Sequence, residues 1–94
     1  MTRTPRRLVS LRRVAPVAVR ARYDEIWSAV QGAAVSLGAH AWRFSDLGRS
    51  GHYLEFLEFA EGADPRTDSS VAGRLTELDA EIGAAEIEEW AECP

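Results

Sequence analysis

Residues 39–59, AHAWRFSDLGRSGHYLEFLEF, decide the fold. From Ala39 to Ser45, His40, Trp42 and Phe44 alternate with Ala41, Arg43 and Ser45, the period-two pattern of a strand. Asp46-Leu47-Gly48-Arg49-Ser50-Gly51 is turn chemistry, and His52–Phe59 resumes as a second strand. The two make a hairpin. Upstream, Tyr23, Ile26, Trp27, Val30, Ala33, Ala34 and Leu37 recur at spacings of three and four, the stripe of an amphipathic helix. Asp24 and Glu25 suit its positive N-terminal end, and Gly38 is placed to stop it. Gly32 inside this helix costs about 1 kcal/mol relative to alanine, which close approach to the sheet would explain.

Further out, Leu8–Val14 reads as a first strand ended by Ala15-Pro16. Glu61–Pro65 closes the hairpin's second strand. Asp68 or Thr67 then caps a second helix with the stripe Val71, Leu75, Leu78 and Ile82, stopped by Gly83. Glu86–Glu92 is a last strand. The order β-α-β-β-α-β in 94 residues predicts an α+β, ferredoxin-like domain. Its four-stranded antiparallel sheet has the order 4-1-3-2, with both helices on one face. One domain spans residues 1–94, with a core over about 8–93.

Charge is unevenly placed. Residues 1–22 hold seven arginines and no acid, whereas residues 51–94 hold twelve acids against Arg66 and Arg74. The predicted topology sets the arginine-bearing first strand between the third and fourth, which carry Glu55, Glu58, Glu86, Glu88, Glu89 and Glu92. Pairing within the fold therefore accounts for the basic segment. A net charge of −4 without any lysine disfavours a polyanion partner. No apolar run approaches a membrane span, and arginines interrupt the stretch after Arg7, so neither a span nor a signal peptide is expected. A cytoplasmic location follows as the expectation. Cys93 alone allows no internal disulfide and no thiolate metal cage. His40 and His52 are the two histidines, and no metal or cofactor is expected.

Period two also assigns faces. Val9, Leu11, Leu54, Phe56 and Ile87 form the cleaner apolar set and are expected to meet the helices. The opposite, open face then carries Ser10, Arg12, His40, Trp42, Phe44, Tyr53, Glu55, Leu57, Phe59, Glu88 and Trp90. The adjacent pair Phe56-Leu57 leaves room for a bulge that would change this parity. On the open face Arg12, Glu55 and Glu88 form either an ion-pair network or the polar lining of a pocket walled by Trp42, Tyr53 and Trp90. Aromatic side chains of this kind also suit a subunit interface. The candidate ligand-binding residues are His40, Trp42, Tyr53, Glu55, Arg12, Glu88 and Trp90.

Arg49–Phe56 resembles the aromatic third-strand motif of RNA-recognition motifs in its basic first position, Tyr53, Leu54 and Phe56. It departs at Gly51 and His52, and Leu8-Val9-Ser10-Leu11 lacks the matching first-strand aromatic, so nucleic acid is not expected as a partner. The stretch Leu8–Cys93 is also similar, in length, element order and aromatic open face, to the dimeric α+β-barrel superfamily, including antibiotic-biosynthesis-monooxygenase-like domains. That resemblance implies a homodimer with two sheets face to face and a pocket near His40, Trp42 and Tyr53. It carries over no catalytic set residue by residue.

The leading reading is a small homodimer that binds a small, aromatic ligand or a partner through its open face. The enzyme alternative is a cofactor-independent oxygenase or related barrel enzyme, with His40 as proton acceptor and Trp42 and Tyr53 holding an aromatic substrate. An RNA binder is the third.

Overall fold

The computed structural model describes residues 3–94; Met1 and Thr2, which the domain limits drawn from the sequence include, lie outside the described residues. The elements are β1 (Arg6–Val14), α1 (Arg20–Ser36), β2 (His40–Ser45), β3 (His52–Ala60), α2 (Ser69–Ile82) and β4 (Glu86–Ala91), with single 3-10 turns at Val17–Val19 and Pro65–Thr67. The strands form one antiparallel sheet in the order β2-β3-β1-β4, which is 4-1-3-2 read from the other edge. Tyr23, Ile26, Trp27, Val30 and Ala34 of α1 and Val71 and Leu78 of α2 close over Val9, Leu11, Ala41, Leu57 and Phe59 of the sheet. This is the ferredoxin-like arrangement.

Local chemistry sets the element ends. Pro16 holds extended backbone, and one 3-10 turn separates it from α1, which starts at Arg20, ahead of the first apolar residue of its stripe. At the other end of the molecule's first half, the β2–β3 turn docks on this connection: Ala15 N donates to Gly51 O at 2.8 Å. Gly51 has φ +85°, and a Cβ there would fall 2.6 Å from Arg20 Nη2 and 3.0 Å from Ala15 O. Only glycine fits that corner. The Asp68 carboxylate accepts from the backbone N–H groups of Ser70 and Val71 and caps α2, as the sequence suggested.

The structure corrects the sequence reading in four places. First, β3 shows its other face to the helices: Glu55, Leu57 and Phe59 are buried there, whereas Leu54 and Phe56 stand half-buried on the open face. Val9 pairs with Leu57 and Leu11 with Glu55, so the two strands share one core face. Second, the β1–β3 register runs unbroken from Arg6↔Ala60 to Val14↔His52, so no bulge interrupts Phe56-Leu57. Third, Ile87 points to the helix side opposite Leu11 yet is 53% exposed, because the helices stop short of β4, whose residues are all exposed. Fourth, Gly32 faces solvent, and a Cβ added to it would meet nothing within 4 Å, so close packing is not its reason.

The basic N-terminal segment is neutralised within the fold. Arg3 pairs with Glu92, Arg6 with Glu58 at 2.6 Å, Arg7 with Glu61, Arg12 with Glu88 at 3.7 Å and Arg13 with Glu55 at 2.8 Å. Arg22 reaches Glu25, Glu77 and Glu81, and Arg20 Nε donates to Ala15 O.

Candidate functional site

Two arrangements carry chemistry, one behind the sheet and one at its end. Behind the sheet, the Glu55 side chain is fully buried, and its Oε2 accepts from Arg13 Nε at 2.8 Å and from Tyr23 Oη at 2.6 Å. Arg13, 1% exposed, also donates from Nη1 to Asp79 Oδ1 at 2.8 Å and to Gly83 O at 3.1 Å. The Arg43 guanidinium lies 4.5 Å from the Tyr23 ring centroid and 5.3 Å from that of Tyr53, and the two tyrosines meet edge to face at 4.9 Å. Such cation–π contacts strengthen when water is excluded.

Burial pushes the Glu55 carboxyl above the usual carboxylate range, against Arg13, the Tyr23 hydroxyl and Arg43, which pull it down. Burial, then the Glu55 carboxylate, raise Tyr23 well above an ordinary phenol. Arg13 Nη2, Arg43 Nη1 and Glu55 Oε1 are buried without a hydrogen-bond partner.

At the end of the sheet, a cavity of about 520 Å³ opens where β1 finishes and β3 and β4 begin. Arg12, Val14, Phe44, Leu54, His52 and Glu86 wall it from the strands, Asp46 and Arg49 from the hairpin turn, and Ile82, Gly83 and Ala84 from the end of α2. Arg13 and Tyr53 reach it from behind the sheet, so the buried cluster and the cavity adjoin. Arg49 is tied to Asp46 at 3.0 Å, and among the described residues Arg12 makes only the long contact to Glu88.

The residues singled out from the sequence are distributed over both. Arg12 and Tyr53 line the cavity. Trp90 lines a smaller hollow of about 290 Å³ near Arg66 and donates from Nε1 to Ser10 Oγ at 3.3 Å. His40 and Trp42 stack on the open face, centroids 5.6 Å apart and 7° from parallel, outside both hollows. His40 Nε2 lies 3.9 Å from Glu58 Oε1. Glu88 stays on the open face opposite Ser10. Glu55 and Tyr53 do not: both turn to the helices, so Arg12, Glu55 and Glu88 do not converge. Tyr53, turned against Tyr23 and Arg43, presents no ring on the open face for a base to stack on. His40 pairs with Glu58 and His52 with Val14, at opposite ends of the hairpin, and among the described residues no three His, Cys, Asp or Glu side chains cluster as a metal site.

Arg13, Tyr23, Arg43 and Asp79 were not singled out from the sequence, though a signal existed. Val9, Leu11 and Arg13 share one side of β1 by period two. An arginine on the core side of a strand demands a buried acid, and Glu55, opposite Leu11 on the same face and so diagonal to Arg13, is the one within reach.

No protein-family model matches the chain, and no curated protein matches it. Solved structures do. A conserved protein from Methanosarcina mazei Go1 superposes with TM-score 0.81 at 10% identity, over 93% of this chain and 92% of that one. A candidate antibiotic biosynthesis monooxygenase from Deinococcus radiodurans gives 0.77 at 17% identity, over 94% and 92%. SnoaB, a cofactor-independent oxygenase from Streptomyces nogalater, gives 0.72 at 10% identity, over 98% and 94%. The chain therefore has the fold of the antibiotic-biosynthesis-monooxygenase-like structures, the fold that its element order suggested. Among the described residues no helix is long and apolar enough to cross a membrane.

Proposed function

We propose that the chain is a one-domain subunit of a cytoplasmic homodimer, paired through its open sheet face and binding a small aromatic molecule in the cavity at the end of the sheet. The observation that carries this reading is the aromatic open face. Trp42, Phe44 and Trp90 are 44%, 56% and 53% exposed there, beside half-buried Leu54 and Phe56, and both helices lie on the other side. Exposed aromatic side chains of that kind, Trp42 and Phe44 beside Leu54 and Phe56 with Trp90 across β1, mark an interaction surface. Strands of up to nine residues, four abreast, span a plane of roughly 19 by 30 Å. With the two edge strands only six residues long the flat footprint is about 500 Å² before side-chain relief, of the same order as the roughly 800 Å² per partner of a standard interface.

The ligand class follows from the cavity. Val14, Phe44 and Leu54 offer apolar walls, and Arg12, Arg49 and His52 offer polar anchors for an acidic or phenolic group. Sedimentation equilibrium is expected to give twice the chain mass of 10.4 kDa, and equilibrium dialysis is expected to show saturable binding of 2-naphthoate, weakened in Arg12→Leu. A stable monomer, or uptake that never saturates, would count against the respective half of the reading.

A second reading is a cofactor-independent oxygenase, the activity named for SnoaB, which shares the fold. It is supported by a histidine in the cavity wall, His52, which on this reading would accept the proton of a bound phenol in the role the sequence suggested for His40, a residue outside the cavity. Oxygen uptake with a dihydroxynaphthalene above the protein-free rate, lost in His52→Ala, is its test.

A further inference from the structure

We infer that the cavity at the end of the sheet is completed by the second copy of the chain, so that ligand binding and dimer formation strengthen each other. The inference rests on the dimer and the ligand site proposed above, and it adds where the missing wall comes from.

Strand alternation carries it. Arg12 and Val14 share the side of β1 that Ser10 presents to Trp90. His52 and Leu54, directly opposite them, share the side of Phe56, and Phe44, opposite Leu54, shares the side of Trp42. These strand walls of the cavity therefore stand on the open face. Val14 and Phe44 are each 56% exposed although they line the cavity. A flat ligand seated on them would keep one side in water, which a site that buries most of its ligand does not allow.

The surface that would cover the ligand is the one that a partner sheet would cover. The open face carries both signs of charge, Arg6 and Arg12 with Glu58, Glu86 and Glu88, alternating with its aromatic residues. Arg6 with Glu58 and Arg12 with Glu88 already pair within the chain, so the face presents little net field, and two identical copies of it meet without a like-charge clash. A strongly basic or strongly acidic partner finds no matching field on it. A second sheet packed about 10 Å away roofs the cavity of the first. By linkage, the factor by which the dimer improves ligand affinity is the factor by which ligand improves dimer affinity.

The experiment is equilibrium dialysis of 2-naphthoate against the full chain, at protein concentrations above and below the dimer dissociation constant found by sedimentation. Affinity is expected to fall at least about tenfold on dilution to monomer, and saturating probe is expected to tighten the dimer correspondingly. Trp42→Arg, on the open face but outside the cavity wall, is expected to be monomeric with an unchanged far-ultraviolet spectrum and to bind as weakly as the diluted protein. If that variant does not fold, the dilution series decides alone. Equal affinity for monomer and dimer, or a wild-type chain that binds the probe as a monomer, would overturn this inference while leaving the ligand site standing. Absence of 2-naphthoate binding by wild-type dimer would overturn both.

Discussion

Arg13 Nε lies 2.8 Å from Glu55 Oε2 between the sheet and the helices, with both side chains out of reach of water. Opposite charges in such a place depend on each other, because either one alone is a desolvated ion. Glu55→Leu is expected to cost about 3–5 kcal/mol of stability, read as a lower urea midpoint. The double change Arg13→Met with Glu55→Leu is expected to recover most of that loss, since no charge is then stranded. A single variant within about 0.5 kcal/mol of wild type would show that the pair is not held as described.

Tyr23 gives a pH dependence with a definite sign. Its hydroxyl ionises near 10.0 when free and well above that in the fold, because burial and the Glu55 carboxylate oppose a phenolate there. Above that free value the unfolded chain has lost a proton that the folded chain keeps. Stability contributed by this group is therefore complete below pH 10 and falls by about 1.4 kcal/mol per pH unit above it. Chemical denaturation between pH 9 and 11 is expected to show this slope and to lose it in Tyr23→Phe.

Two glycine substitutions are expected to act in opposite directions. Gly51→Ala meets Arg20 and the Ala15 carbonyl at a positive φ, and a loss of about 1–3 kcal/mol is expected. Gly32→Ala, exposed within α1 with open space around it, is expected to gain about 1 kcal/mol. Paired thermal melts of the two variants check both signs.

The hairpin and the element order were legible because their signals are local. Asp46–Gly51 holds its own turn, with Asp46 accepting from Gly48 N at 2.7 Å and from Arg49 Nε at 3.0 Å. The face of β3 was not legible. Leu54 with Phe56 and Leu57 with Phe59 are equally apolar sets, and Glu55 tips the reading toward solvent for its own set. Its burial depends on Arg13 and Tyr23, 42 and 32 residues away in the chain, partners that period-two counting within β3 does not see. The cavity was hidden for the same reason. Its walls come from the ends of β1, β2 and α2 and the starts of β3 and β4, and no single segment carries its pattern.

Single-stranded RNA is expected not to bind. Six of the seven N-terminal arginines already hold carboxylates, and Tyr53 faces the helices. Fluorescence anisotropy with a labelled oligonucleotide at physiological salt is expected to show no saturation at micromolar protein. Saturable binding that weakens with added salt would contradict this.

The exposure of β4 on both faces bears on how copies of this chain can grow together. A free strand edge offers a template to another strand, and repetition of that contact builds a filament. Glu86, Glu88 and Glu89 within the strand and Glu92 just beyond it make the edge anionic. Two β4 edges brought side by side set these acids near each other, which disfavours that pairing, although Glu88, Glu89 and Glu92 are each held by an arginine and the other edge, β2, carries no acid. Face-to-face contact, which ends after one partner, avoids this opposition of β4 edges.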